Sequence, residues 1–349
     1  MVNFILLILI YTVIYSFMAL GQNVITGYGG MLSLCQAGFF AIGSYTTGIL
    51  TVKCGWGFWP TMFVGMFIAI VLGILIGIPT LRLKGDYLAI VTLGVGEIIK
   101  NVINNWISLT NGPMGIQRIP MVKVFGFKVN PYNNKFGFLL LSLCILLLCA
   151  QFLHRFIRTR NGRALEAVRE DELASLSSGI NSTVYKVMAF AIGACLASIG
   201  GSLYSVLTLS ISPGTYTFMM SVMVLCMVVL GGMGNLIGVI LGAFIIQLIS
   251  YLPELTGLSR VIPPQCKEIL FGVILVVMMI FRPEGLLGRP KRQTNFMSDS
   301  KGTVLLYKAK HVCSNISSLF SNMKKSKGGK ALRFLKQKNL HALSAELLL

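Results

Sequence analysis

Charge is scarce in this chain of 349 residues. Only 12% of them are Asp, Glu, Lys or Arg, about half the share found in soluble domains. With 55% hydrophobic residues and a mean hydropathy of +0.78, that excludes a water-soluble enzyme. It also excludes a disordered chain, which would be polar and highly charged. None of the eight cysteines forms a CxxC pair, so a zinc or redox site has no support. Most of them lie in apolar runs, where Cys behaves as a small hydrophobe. His154, His311 and His341 lack metal-ligand spacing, and no metal site is expected. A GxxxxGK(S/T) phosphate loop is missing, so no ATP site is expected in this chain. No nucleophile, base and oxyanion donor can be assembled, which argues against an enzyme.

Long apolar runs fill the sequence. A helix needs about 20 apolar residues to cross a bilayer of roughly 30 Å. Nine runs qualify or nearly do: Asn3–Leu20, Met31–Thr51, Phe58–Thr80, Tyr87–Ile107, Phe136–Phe156, Val184–Leu207, Thr217–Leu230, Leu236–Leu252 and Gln265–Phe281. Backbone groups in lipid must bond internally, so the expectation is an all-α, polytopic membrane bundle of about nine helices. The first run has no Lys or Arg before or within it and no small-residue cleavage site, so it reads as a retained span rather than a signal peptide.

Base outnumbers acid 30 to 11, for a net charge of +19. The basic residues set the orientation. Arg155, Arg158, Arg160, Arg163 and Arg169 lie between the fifth and sixth spans. Thirteen more Lys and Arg lie from Arg289 onward, against only Asp299 and Glu346. Both regions are expected in the cytoplasm, and the uncharged loop Thr208–Tyr216 outside. Nine spans then place the N-terminus outside and the C-terminus inside. The loop Ser108–Lys135 runs against the trend, because it is external in this scheme yet carries Arg118, Lys123, Lys128 and Lys135. The domain reading is a membrane domain over residues 1–288 and a basic cytoplasmic extension over 289–349. That extension suits anionic lipid. A nucleic-acid role would need a recognition fold, and none accompanies the charge. Leu332, Leu335 and Leu343 fit either a basic surface helix or a disordered tail. One internal echo stands out: Gly29-Gly30-Met31 before the second span and Gly231-Gly232-Met233 before the eighth.

The most informative polar stretch is Asn161–Lys186. Asn161 can cap a helix and Gly179 can end one. Leu165, Val168 and Leu176 fall on one face at helical spacing, while Glu166, Arg169, Glu170 and Asp171 occupy others. An amphipathic helix projecting from a membrane domain serves either for docking or for lying among lipid headgroups.

At this point the chain resembles a known family, the permease subunits of bacterial branched-chain amino-acid ABC importers, LivM-type. The blocks that carry the likeness run from about Gly21 to Gly288. They include Gly27-Tyr28-Gly29-Gly30, Leu81-Arg82-Leu83-Lys84-Gly85-Asp86-Tyr87, Asn104-Asn105-Trp106, Gly162-Arg163-Ala164, Arg169-Glu170-Asp171-Glu172, Ile211-Ser212-Pro213, Val228-Val229-Leu230-Gly231-Gly232-Met233-Gly234 and Phe281-Arg282-Pro283-Glu284-Gly285-Leu286. The resemblance implies that residues 162–179 form the coupling segment that enters a groove on an ATPase subunit. Leu165, Glu166, Arg169, Glu170, Asp171, Glu172 and Gly179 are then the ATPase-coupling residues. Gly179 stands one residue further on than in the general pattern. The implied partners are a second homologous permease, two ABC ATPases that bind the ATP and Mg, and an extracytoplasmic binding protein delivering cargo near Thr110–Pro131. The implied location is the bacterial cytoplasmic membrane, and the implied cargo is leucine, isoleucine or valine.

Charges inside spans are rare and usually functional. Glu97 is the clearest, with Lys100 three residues on and Asn101, Asn104 and Asn105 beyond. Two readings stand: this face lines the translocation path, or it clamps helices together. Gln36 and Ser33, beside Gly38, Gly43 and Gly48, form a second candidate surface, although such glycines more often mark close helix packing. The same holds for Gly193, Gly200 and Gly201. Within the same class the cargo could be urea or a short amide. An ion-coupled carrier working alone would want more buried carboxylates than Glu97.

Overall fold

The computed structural model describes residues 2–80, 85–124, 127–129, 135–255, 272–273 and 285–287. The ninth expected span, Gln265–Phe281, and the basic tail from Arg289 lie outside the described residues. The eight other expected spans each coincide with a helix. These are α1 (Val2–Gln22), α2 (Gln36–Lys53), α3 (Phe58–Thr80), α4 (Asp86–Asn105), α6 (Lys135–Arg158), α9 (Ser182–Thr208), α10 (Phe218–Gly231) and α11 (Leu236–Leu255). Four of them, α1, α3, α6 and α9, are long and apolar enough to cross a membrane unaided. Short pieces join them: α5 (Ile107–Thr110), α7 (Arg160–Glu170), α8 (Glu172–Ser177) and the strands β1 (Ile116–Gln117), β2 (Val122–Val124), β3 (Phe127–Val129) and β4 (Ser210–Ile211).

Helix α9 is the central post. Its 27 residues extend about 40 Å at 1.5 Å per residue, and it packs against α1, α2 and α3. Small residues make that packing close. A Cβ on Gly43 of α2 would lie 2.1 Å from the Ser198 carbonyl oxygen, and one on Gly201 of α9 would lie 2.1 Å from the Phe40 carbonyl oxygen. Ser44 Oγ donates to the Gly201 carbonyl at 2.8 Å. Without apolar contrast between helix and lipid, association depends on such close contact and interhelical hydrogen bonds. The outward faces of α3 and α6 remain apolar and exposed, with Phe63, Phe67, Leu75, Leu140, Leu147 and Phe152 among them. Patches of this extent suit lipid rather than water.

The two ends of the bundle differ. At one end the α4–α6 connection and the segment after α9 pair antiparallel, Ile116 with Ile211 and Gln117 with Ser210. The exposed Trp56, Trp59 and Trp106 lie near this end, as expected of a membrane-interface belt. Lys53 ties α2 to it by donating to the carbonyls of Ser108 and Leu109 at 2.7 and 2.8 Å. At the opposite end lie α7, α8 and the two echoing glycine turns.

Those turns touch. Helix α1 does not stop at Leu20. It runs on to Gln22 and then winds into a π-helical turn, Asn23–Tyr28. Asn23 Oδ1 accepts from the Gly234 amide at 2.8 Å, which joins this turn to the one between α10 and α11. The second span also differs from expectation. It begins at Gln36 rather than Met31, and residues 31–35 are non-helical. Three side chains from three helices satisfy this irregular backbone. Gln22 Nε2 donates to the Ser33 carbonyl at 2.7 Å, Thr92 Oγ1 accepts from the Leu34 amide at 3.0 Å, and Ser221 Oγ accepts from the Ala37 amide at 3.0 Å. Non-helical backbone at such depth survives where protein supplies the missing partners.

The close packing makes a direct prediction. Gly201→Ala drives a methyl into backbone and should cost about 3 kcal/mol, whereas Gly214→Ala, where a Cβ meets nothing within 4 Å, should be neutral. Thermal unfolding in detergent micelles measures both; equal midpoints for the two variants would contradict the central-post packing.

Candidate functional site

The expected single rod over residues 162–179 is two helices. Helix α7 starts one residue after α6 ends, and the start is tight: a Cβ on Gly162 would lie 2.3 Å from the Ile157 carbonyl oxygen. Its cap position is Thr159 rather than Asn161, which sits within the first turn. Leu165 and Val168 turn inward, Leu165 to 1% exposure. The helix breaks at Asp171, whose backbone is extended. Asp171 Oδ1 accepts from the amides of Leu173 and Ala174 at 2.9 and 3.1 Å, which caps α8. Asp is poor inside a helix and strong at its start for this reason.

The break resets the helical phase. Leu176 was expected on the face of Leu165 and Val168, but it is 48% exposed, and Leu173 is 71% exposed. Gly179 ends α8 as expected. Its φ is +80°, its amide donates to the Leu176 carbonyl at 3.0 Å, and the Ile180 amide donates to the Ser175 carbonyl at 3.0 Å. This double closure by a left-handed residue favours glycine.

The seven coupling candidates divide into inward and outward groups. Leu165 is core. Glu166 is half-buried. Glu172 pairs with Lys186 at 2.5 Å, which fastens α8 to the first turn of α9. Arg169 is exposed, but its Nη1 turns back to donate to the Gly27 carbonyl of the π-helical turn. Glu170, Asp171 and Gly179 face outward with Leu173 and Leu176. The outward group is a mixed apolar and acidic surface on a stiff, doubly anchored element.

Gln36, Glu97 and Asn101 do not form one surface. Glu97 is half-exposed and pairs with Lys100 at 3.3 Å. It lines a small cleft with Leu34, Ala37, Leu93, Gly96, Tyr216, Thr217, Phe218 and Ser221. The first turns of α2 and α10 meet there beside α4. Asn101, one turn further along α4, is exposed on the same face, and the Asn105 amide donates to its carbonyl at 2.9 Å. Gln36 is wholly buried and turns toward α1 and α9, where a Cβ on Gly21 would lie 3.1 Å from its Nε2. Its amide atoms have no partner among the described residues. Gly38 serves packing against α4, as expected: a Cβ there would meet Ile99 at 3.0 Å.

Sequence reasoning missed Gln22, Asn23, Thr92 and Ser221, which hold the broken segment together. Their signal was faint: two adjacent amides at the end of an apolar run, just ahead of a glycine pair.

The model of a known family, described as the permease component of branched-chain amino-acid transport systems, matches residues 4–279. The chain is 38% identical over 310 residues to the LivM permease protein of the high-affinity branched-chain amino-acid transport system of Salmonella typhimurium, covering 82% of this chain and 71% of that one. It is 38% identical over 305 residues to LivM of Escherichia coli, covering 81% and 69%. It is also 26% identical over 292 residues to LivH of Escherichia coli, covering 79% and 92%. No solved structure matches the chain.

The cap at Asp171 can be tested apart from its charge. Asp171→Ala should lose about 1 kcal/mol of α8 stability, while Asp171→Asn, an equally good cap, should keep it. Amide hydrogen exchange across residues 172–178 reads the difference. Equal protection in the two variants would show that the charge, not the cap, matters.

Proposed function

The chain belongs to the family of permease components of branched-chain amino-acid transport systems, and from that premise we propose that it forms one half of the membrane path of an ATP-driven importer. Its cargo is leucine, isoleucine, valine or a closely related amino acid. A second, homologous permease completes the path. The support is that the chain resembles both LivM and LivH, two permease proteins of high-affinity branched-chain amino-acid transport in one organism.

The observation that carries the mechanism is the α7–α8 pair: two short helices, anchored to the bundle at both ends, with Leu173 and Leu176 bare. Exposed leucines beside Glu170 and Asp171 suit insertion into a cleft of an ATPase subunit. Two such subunits would bind and hydrolyse ATP and move toward each other as rigid bodies. The arginines Arg155, Arg158, Arg160 and Arg163 cluster at this end, which supports placing it in the cytoplasm. Helix α1 runs toward the same end, so Val2 lies outside in this reading. The β-paired end, where Met114 is bare, then faces the delivering binding protein.

The cargo is a zwitterion with an apolar side chain. A path for it needs few polar groups on an otherwise apolar wall. Glu97 and Asn101 on α4 supply such groups. Glu97 can hold the cargo's ammonium in exchange for Lys100, and the apolar stretches of α4 pass the branched side chain.

Reconstitution tests the proposal. Vesicles holding this chain, its permease partner and the ATPases should accumulate radiolabelled leucine only when ATP and binding protein are supplied. Accumulation by this chain alone would overturn it in favour of a self-sufficient carrier. In the same vesicles Glu97→Gln should lower uptake severalfold with the ATPases still attached. Leu173→Asp should instead detach the ATPases, as co-purification would report.

A further inference from the structure

We propose that Arg169 is a positioning residue: it latches the coupling helix α7 to the broken end of α1, and that latch, not contact with an ATPase, is its part in transport. The inference rests on the permease reading and assigns one step within it.

Arg169 lies at the last turn of α7, next to Glu170 and Asp171, and like them it is exposed, yet its guanidinium turns back onto the bundle. Its guanidinium donates to the carbonyl of Gly27, near the C-terminal end of the π-helical turn, where carbonyls carry partial negative charge and suit a cation. Its stem lies over Gly30, where a Cβ would come within 2.7 Å of Arg169 Cγ. Gly30 has φ +66°, a conformation that glycine adopts without strain. The chain therefore makes room for this side chain at one residue and offers it an acceptor at another.

What Arg169 holds is itself a junction. A π-helical turn inside an α-helix is rare and frequently marks a functional site. Here it is closed against the α10–α11 turn by the Asn23–Gly234 bond, and Gly27 is so near that a Cβ would lie 2.6 Å from the Gly234 amide nitrogen. One turn earlier, Gln22 Nε2 bridges Thr26 Oγ1 and the Ser33 carbonyl, both at 2.7 Å. Beyond Ser33 the chain passes Thr92 of α4 and enters α2 at the cleft lined by Glu97. A displacement of α7 is thus handed by one guanidinium to a segment bonded to α4, α10 and the start of α2. Coupling of this kind needs a contiguous element that both sites bias, and this one is continuous from α7 to the cleft.

The test uses the full complex in vesicles and reads uptake per ATP hydrolysed. Arg169→Gln should retain the ATPases and continue hydrolysis while uptake per ATP falls at least about fivefold, the low end of an ordinary coupling between sites. Arg169→Lys, which can still donate to the Gly27 carbonyl, should recover most of the ratio. An unchanged ratio in Arg169→Gln would overturn the latch, and so would loss of the ATPases on co-purification, since that is the behaviour of a docking contact. If Arg169→Gln never reaches the membrane, Gly30→Ala decides. It displaces the side chain without removing its charge, and it must reduce the ratio in the same way; a normal ratio there overturns the proposal. A wild-type complex that takes up nothing with ATP present would instead sink the permease reading, so the two failures are told apart on the same vesicles.

Discussion

A backbone amide removed from water must find another partner, and this requirement organises the whole chain. Along the helices it is met locally. It becomes demanding at residues 29–35, where the helix stops within the bundle. Side chains then substitute for the helical ladder: Gln22 from α1, Thr92 from α4 and Ser221 from α10. Three helices therefore converge on a single non-helical segment, and the position of α2 depends on all of them. The same segment that satisfies the requirement also becomes a joint, because side-chain bonds can be exchanged where a helical ladder cannot.

How much of this was legible in the sequence follows from which forces act locally. Hydropathy located α3, α4 and α6 to within two residues, since a run of apolar residues bounded by polar ones leaves little choice. It misplaced the start of α2 by five residues because Met31–Cys35 is as apolar as the helix that follows. The decision there is taken by partners 11, 58 and 184 residues away, which no local pattern records. The α7–α8 segment shows the opposite failure. Helical periodicity was extended straight through Asp171, although a residue that prefers to cap was already visible there. The Glu97–Lys100 pair was readable from spacing alone, being an i, i+3 contact on one helix. The turn of Arg169 back onto Gly27 was not, because it depends on a glycine pair some 140 residues earlier in the chain.

The echo between Gly29-Gly30-Met31 and Gly231-Gly232-Met233 was thin as a sequence signal, and it acquires meaning from contact. Both glycine pairs end a helix at the same end of the bundle, and the Asn23–Gly234 bond joins the two. The turns are also where the bundle is least helical, and they sit under α7.

The same contrast decides where movement can pass. Helix α9 is locked against α2 by contacts so close that added methyl groups at Gly43 or Gly201 would strike backbone, and it packs along α1 and α3 as well. Packed interiors of that density move as blocks rather than deform. A push on α8, fastened to α9 by Glu172 and Lys186, would therefore displace the post and its neighbours together. A push on α7 also reaches α9, against which α7 packs, and with it the π-helical turn and the non-helical segment after it, both held in part by individual side-chain bonds. In the proposed cycle, relative movement between the post and α4 or α10 would pass through that joint. Since the cleft beside Glu97 lies between α2, α4 and α10, the joint is also where such movement would open or close it. In the proposed cycle, the close packing around α9 and the side-chain-held backbone of residues 23–35 would be two halves of one arrangement. Without the first the force would dissipate, and without the second it could not change the path.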